Sequence, residues 1–246
     1  MRILITGGSS EIGQAIAKRF ARPGNEIFYT ASSPKTLEVC EKAYTEAKIP
    51  ARGLVLRLDR TSEPSAEATA LLEKGVDALI LNAASAVRKL RPFHLTSARD
   101  LEDSIDQNVL GNARLIQAVL PGMVKRKFGR LVFISSVAVA MGAPRYGVYS
   151  LTKGALEALF LNLAVDYGPC DILSNVVRPG TIRTERTRRF WSKPGYVEKL
   201  SSIIPQGRMG LPAEVAEALD PLLSETSYIN GSILHVSGGF PLVRPG

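Results

Sequence analysis

The run Ile3-Leu4-Ile5-Thr6-Gly7-Gly8-Ser9-Ser10-Glu11-Ile12-Gly13 joins a short apolar strand to a helix through a glycine-rich turn. The helical pattern continues through Gln14-Ala15-Ile16-Ala17-Lys18-Arg19-Phe20. A strand, a tight turn and a helix N-terminus in this order aim free backbone N–H groups and the positive end of a helix dipole at one point. That point favours a pyrophosphate. Gly7 allows the tight turn and Gly13 the close packing of helix on strand, with Ser9, Ser10 and Ile12 between and beside them.

The first apolar run, Arg2 to Thr6, is followed by six more, rich in Ile, Val and Leu. They lie at Glu26 to Thr30, Gly53 to Leu58, Asp77 to Asn82, Arg130 to Ser135, Ile172 to Val177 and Ser232 to Val236. Segments of helical character separate them. This alternation predicts an α/β fold: a doubly wound, seven-stranded parallel sheet covered by helices on both faces and joined by right-handed crossovers. Residues 1–246 are of a size to form a single domain. Such sheets bind ligands at the carboxyl ends of their strands, so functional residues are expected just after the apolar runs. The least patterned stretch, Glu185 to Gln206, is rich in Arg, Pro, Ser and Gly and is expected to be a lid loop.

No stretch approaches the roughly 18 apolar residues needed to span a bilayer, and a soluble, cytoplasmic protein is expected. Cys40 and Cys170 are far apart, and neither they nor His94 and His235 have ligand spacing, so no metal site is expected. The net charge of +8 and the pI near 9.6 suit an anionic partner. The basic residues are dispersed except at Lys125-Arg126-Lys127 and at Arg183, Arg186, Arg188 and Arg189, and no nucleic-acid module surrounds either group. Neither nucleic acid nor a membrane is the expected partner.

Tyr149 and Lys153 lie four apart in the helical pattern Tyr149 to Tyr167 and share a face. A free Tyr titrates at about pH 10, and a neighbouring ammonium favours its phenolate, bringing the proton within reach of neutral-pH acid/base work. Tyr44 and Lys48 repeat the spacing on a helix after the second strand run, where an exposed helical face is the better reading. Company separates the two pairs. Ser136 stands thirteen residues before Tyr149, at the end of a strand run, whereas Ala31 stands thirteen before Tyr44.

Taken in order, these segments resemble the short-chain dehydrogenase/reductase family over essentially the whole chain. Thr6 to Gly13 resembles its TGxxxGxG turn, with Glu11 in place of the middle glycine. A carboxylate beside a phosphate is unfavourable, so Glu11 is expected to point away. Asp59 resembles the family's adenine-contacting acid, and Leu81-Asn82-Ala83-Ala84 its NNAG segment. Arg178-Pro179-Gly180-Thr181-Ile182-Arg183-Thr184 resembles the PGxxxT segment. This implies cofactor contacts at Pro179, Gly180, Ile182 and Thr184, the last two at the nicotinamide carboxamide. Val236-Ser237-Gly238-Gly239 resembles a terminal DGG with Ser for Asp, and Ile204 to Pro212 the segment that closes the lid. The strand, Ser136 and the Tyr149/Lys153 pair resemble the catalytic core. Asn108 matches the Asn that completes a tetrad by kinking its helix and holding a water. The resemblance implies a Rossmann-type NAD(P)-dependent oxidoreductase. In it Ser136 bonds the carbonyl oxygen, Tyr149 moves a proton with Lys153 supplying charge, and the nicotinamide moves a hydride.

No acid follows the second strand, in Tyr29-Thr30-Ala31-Ser32-Ser33-Pro34-Lys35. Ser32 and Ser33, with Lys35 or Arg60, suit a 2′-phosphate, which favours NADP over NAD, although Ser10 stands where NADP-using relatives often carry Arg. Among the family's branches the 3-oxoacyl-acyl-carrier-protein reductases are the most similar. Thr30 to Ser33 resembles their second-strand end, and Lys125 to Lys127 falls where they meet an acidic carrier, while Cys170 replaces a second basic position. That branch implies reduction of a 3-oxoacyl thioester on acyl carrier protein or coenzyme A. A dehydrogenase of a small alcohol, sugar or steroid, and a non-catalytic dinucleotide-binding sensor, remain open. The two basic groups are expected to border one entrance. The helical segments Ser97 to Lys127 and Tyr149 to Tyr167 correspond to those through which the family forms dimers and tetramers.

Overall fold

The computed structural model describes residues 1–59, 64–83 and 90–240. Strands and helices alternate: β1 (Arg2–Ile5), α1 (Glu11–Phe20), β2 (Glu26–Ala31), α2 (Pro34–Glu46), β3 (Arg52–Val55), α3 (Ala66–Lys74), β4 (Ala78–Leu81), α4 (Ala98–Ile105), α5 (Gly111–Arg126), β5 (Gly129–Ile134), α6 (Ala138–Met141) and α7 (Gly147–Tyr167). There follow β6 (Ile172–Pro179), α8 (Arg188–Trp191), α9 (Tyr196–Ile203), α10 (Pro212–Glu217), α11 (Asp220–Leu223) and β7 (Ile233–Val236). The strands form one seven-stranded sheet in the order β3-β2-β1-β4-β5-β6-β7, and every pairing is parallel. The direction of winding reverses between β1 and β4, which opens a crevice at their carboxyl ends.

The apolar runs form strands because both faces of the sheet are covered. Side chains alternate along a strand, so Ile3 and Ile5 join one core with Ile16, Phe20, Val215 and Leu219, while Leu4 joins the other with Leu79, Leu115, Phe133 and Phe160. Each such buried side chain contributes about 1.5–3 kcal/mol relative to exposure. Helix starts are marked by caps: Ser10, Ser33, Ser65 and Ser97 each accept a backbone N–H of the following first turn.

Several expectations are revised. Glu185 to Gln206 is largely helical: a 3-10 turn at Glu185–Thr187 leads into α8 and α9. Within it Val197, Leu200, Ile203 and Ile204 recur at helical spacing among the polar residues that had suggested a loop. The segment Ser97 to Lys127 is not one regular helix but α4, a π turn at Asp106–Leu110, and α5. Tyr44 is buried rather than on an exposed face, because its ring stacks on Tyr29 of β2 with centroids 4.0 Å apart. Lys125 to Lys127 lie where α5 hands over to the amino end of β5. In a parallel sheet that is the edge opposite the one where β6 leads into Arg183, Arg186 and Arg188, so within one chain the two basic groups do not border one entrance. Arg126 is engaged there with Asp77 and the carbonyl of Val76. Among the described residues no helix is long and apolar enough to cross a membrane.

Candidate active site

At the carboxyl end of β1 the turn is built from neutral hydrogen bonds. The Thr6 hydroxyl accepts the backbone N–H groups of Asn82 (3.0 Å) and Ala83 (2.9 Å). The Asn82 amide donates to the carbonyls of Thr6 and Gly7, both at 3.0 Å, and to the Ser10 hydroxyl at 2.9 Å. Ser10 caps α1 by accepting from Gly13. The N–H groups of Glu11 and Ile12, in the first turn of α1, have no intrahelical partner by helix geometry. Gly7 has φ +71°, and a Cβ there would stand 2.9 Å from the Ala83 backbone; a Cβ on Gly13 would stand 2.6 Å from the Gly7 carbonyl oxygen. Only glycine leaves this cradle open, and its shape and charge fit a pyrophosphate. Ser9 beside it is exposed. Glu11 is directed at the 3-10 turn after β6: its carboxylate accepts the backbone N–H of Glu185 at 2.6 Å.

The ribose end is defined by α2. Ser33 is occupied as its cap, accepting from the Thr36 N–H at 3.1 Å, while Ser32 and Lys35 are exposed and the first turn of the helix carries no acid. Arg60 and Ala84 lie outside the described residues. Asp59 is half-buried and paired with Arg57 at 2.7 Å.

Ser136, Tyr149 and Lys153 converge where β5 ends. The Ser136 side chain acts on the Tyr149 phenol, and its hydroxyl accepts the Ala138 N–H at 3.2 Å. Lys153, four residues along α7, is buried and donates to the Ile134 carbonyl at 2.7 Å, with its ammonium 4.6 Å from the Phe133 ring centre and 6.0 Å from that of Tyr149. Burial pushes the Tyr149 phenol above its ordinary range, while Ser136 and the charge of Arg186 pull it back. Burial also drives the Lys153 ammonium down to about 7, helped by Arg186 and opposed by Glu157. The groups that lower the Tyr149 phenol are thus Ser136 and Arg186. Asn108 is buried in the π turn; its amide donates to Ser104, and its carbonyl accepts the Asn112 amide at 2.8 Å. The π turn is the helix irregularity expected at this residue.

Across the crevice, Pro179 ends β6 and Gly180 donates to the Val236 carbonyl at 2.9 Å. Ile182 is buried and bridges to Gly210. Thr184 precedes the 3-10 turn at Glu185–Thr187: its N–H donates to the Thr187 hydroxyl at 3.0 Å and its carbonyl accepts the Trp191 indole at 2.9 Å.

Two groups were missed in the sequence. Glu157 is buried below Lys153, accepting from Ser135 and from Arg178 of β6. Its signal was a carboxylate at i+4 from Lys153, on the helix face that also carries Leu156, Phe160, Leu163 and Ala164. In the sequence Arg186 is one of a run with Arg183, Arg188 and Arg189. In the structure Arg183 lies 4.7 Å over the Trp191 ring and Arg188 pairs with Glu185 at 3.1 Å. Arg186 instead acts on Tyr149 and Lys153. The Arg189 side chain lies outside the described residues.

A doubly wound sheet with a glycine cradle and a Ser-Tyr-Lys set at one edge defines a nucleotide-dependent oxidoreductase. Comparison with known proteins makes this specific. A family model described as enoyl-(acyl carrier protein) reductase matches residues 7–241, and the chain belongs to the short-chain dehydrogenase/reductase family of NAD(P)-dependent oxidoreductases. It is similar to the 3-oxoacyl-acyl-carrier-protein reductase FabG of Aquifex aeolicus, at 34% identity over 96% of this chain and 95% of that protein. Among solved structures it is similar to an actinorhodin polyketide ketoreductase with NADPH (TM-score 0.85, 26% identity, 97% of this chain and 96% of that one). It is also similar to a gluconate 5-dehydrogenase from Burkholderia cenocepacia in complex with NADP and tartrate (TM-score 0.83, 25% identity, 97% and 94%).

Proposed function

We propose that this chain uses NADPH to reduce a 3-oxoacyl thioester, carried on acyl carrier protein or coenzyme A, to the 3-hydroxyacyl form. The observation that carries this reading is the convergence of Ser136 and Tyr149 with buried Lys153 one helical turn away, at the sheet edge that also holds the glycine cradle. When bound, the nicotinamide supplies the hydride. Ser136 holds the substrate oxygen as negative charge develops on it, and Tyr149 gives that oxygen its proton. Lys153 holds positive charge beside the phenol, and Asn108 fixes the π turn that brings its backbone to the site. Gly7, Ser9, Ser10, Ile12, Gly13, Asn82 and Ala83 would cradle the pyrophosphate, with Asp59 at the adenine. Ser32 and Lys35, on a helix start free of acid, would take the 2′-phosphate. Pro179, Gly180, Ile182 and Thr184 would hold the nicotinamide. The lid from 185 to 206 would cover the substrate on one domain, working as a homodimer or homotetramer in the cytoplasm. The similarity to FabG supports the thioester as acceptor.

A second reading has its own observation. Arg186 has no acidic partner among the described residues and acts on Tyr149 and Lys153, which favours a small substrate carrying a carboxylate, as in a sugar-acid dehydrogenase. Assay of 3-oxoacyl thioesters, simple ketones and oxo acids with NADPH and with NADH separates these. Thioester reduction with NADPH supports the first reading and a preference for oxo acids the second. Absence of turnover with every carbonyl would leave the non-catalytic sensor.

A further inference from the structure

Glu157 has a place in the geometry that the proposed chemistry does not use. Its carboxylate is 5% exposed and holds three segments at once. Ser135 donates to Oε1 at 2.5 Å, and Arg178 donates from Nε at 2.8 Å to Oε1 and from Nη2 at 2.5 Å to Oε2. Ser135 directly precedes Ser136, Arg178 directly precedes the Pro179-Gly180 turn, and Glu157 is one helical turn beyond Lys153 on α7. One carboxylate thus binds together the strand end, the nicotinamide-side segment and the helix of the Tyr-Lys pair. A buried carboxylate of this kind is costly unless its charge is paired and hydrogen-bonded, and here a fork of guanidinium donors and a hydroxyl do both.

We infer that Glu157 is a positioning residue of this active site, registering Ser136 against the Tyr149/Lys153 helix and supplying the counter-charge that keeps the Lys153 ammonium in place. The inference rests on the tetrad reading above, though its charge part can be measured without turnover. Around Lys153 the charged and titratable groups are Tyr149 and Glu157 on α7, Arg186 at the start of the lid and Arg178 on β6. Tyr146 meets Tyr149 edge-on at 5.5 Å, and His235 on β7 approaches Arg178 at 3.4 Å. Among these, Glu157 opposes the loss of the Lys153 proton, whereas burial and Arg186 promote it.

The test is the titration of Lys153 in protein with 13C-labelled lysine, followed by NMR and assigned with Lys153→Met. In the wild type the ammonium should lose its proton through about pH 7. Glu157→Gln removes the carboxylate and leaves Arg178 unopposed, so the midpoint should fall by about one pH unit, a tenfold change in the ionisation ratio. Arg178→Met should not lower it, because that variant removes a cation and keeps the acid. A purely structural bond would affect the two variants alike. Glu157→Met combined with Arg178→Met replaces the pair by apolar groups, a change that buried ion pairs often tolerate. It should restore any lost melting temperature without restoring the midpoint, and it serves if the single variant fails to fold. In reduction assays the fall of kcat at rising pH should move acidward with the Lys153 midpoint. An unchanged Lys153 midpoint in the variants that lack the carboxylate overturns the inference, as does an equal acidward shift in Arg178→Met. Absence of carbonyl reduction by the wild type, with the Lys153 shift intact, overturns the tetrad reading instead.

Discussion

The two halves of the sheet's carboxyl edge are held by different physics. Around β1 and β4 the cradle is organised by neutral groups, with Thr6, Asn82 and Ser10 bonding backbone atoms and glycines clearing space. Around β5 and β6 the set is organised by buried charge, with Lys153, Glu157 and Arg178 packed between α7 and the strands. On the proposed function the first half fixes a shape for an anion and moves no proton. The second changes its charge during the reaction, and its groups are kept out of water, where each charge acts strongly on the next.

The contrast is broken most severely at the two tyrosines that share a spacing. Tyr149→Phe should lower turnover at least about a hundredfold with nucleotide affinity nearly intact, because the lost proton donor has no substitute. Steady-state rates beside fluorescence titration of NADPH measure both, and near-wild-type turnover would sink the assignment. Tyr44→Phe, in the neutral half, loses only a 3.3 Å bond to the Gly8 carbonyl. It should cost about 1 kcal/mol in urea unfolding and leave kcat within a factor of about two.

At the ribose end, Ser32→Asp places an acid where the structure has none, and should move the ratio of catalytic efficiencies toward NADH by about tenfold through repulsion of the 2′-phosphate. If the wild type already binds NADH more tightly than NADPH, the neutral half was misassigned in its ligand. Charge steering gives a smaller effect. Exposed fields are screened over about 8 Å at physiological salt, so carrier-bound substrate should be reduced severalfold faster at low salt while a small neutral ketone is nearly indifferent. Glu substitutions at Arg183 and Arg188 should reproduce the loss. A larger loss from Arg126 and Lys127 would mean that the carrier docks on the opposite edge, which in one chain lies away from the lid.

The seven strands and the cradle were legible because both follow from local pattern: apolar runs of strand length, and glycines where a backbone approach permits nothing larger. Tyr149, Lys153 and Ser136 were legible from spacing, and the structure brings them together. Tyr44 was misread because its burial depends on Tyr29, fifteen residues earlier and on another element. Glu157 and Arg178 are separated by twenty-one residues with no motif between them. Only the parallel register of β5 on β6, which sets Ile134 beside Val177, brings Ser135, Arg178 and the helix to one point. The helical character of Glu185 to Gln206 was hidden by its composition. The placement of Lys125 to Lys127 on the far edge was available in principle, since every parallel crossover ends its helix opposite the ligand edge.

Glu11 joins the two halves, and the smallest predicted effect lies there. Its carboxylate, standing where the family has glycine, accepts the Glu185 N–H and so ties the start of α1 to the start of the lid. Two consequences oppose each other. The tie steadies the lid, whereas the negative charge lies at the head of the helix that is to receive a pyrophosphate. Glu11→Gln keeps an acceptor for Glu185 and removes the charge, so NADPH should bind a fewfold tighter with the KM for the carbonyl substrate unchanged. Glu11→Ala removes both, so NADPH should again bind tighter while the substrate KM rises a fewfold as the lid loses its anchor. The bond is exposed, and exposed pairs contribute little, which bounds both effects. If Glu11→Gln weakens NADPH binding instead, the carboxylate helps to shape the cradle, and the neutral half of the edge depends on a charge after all.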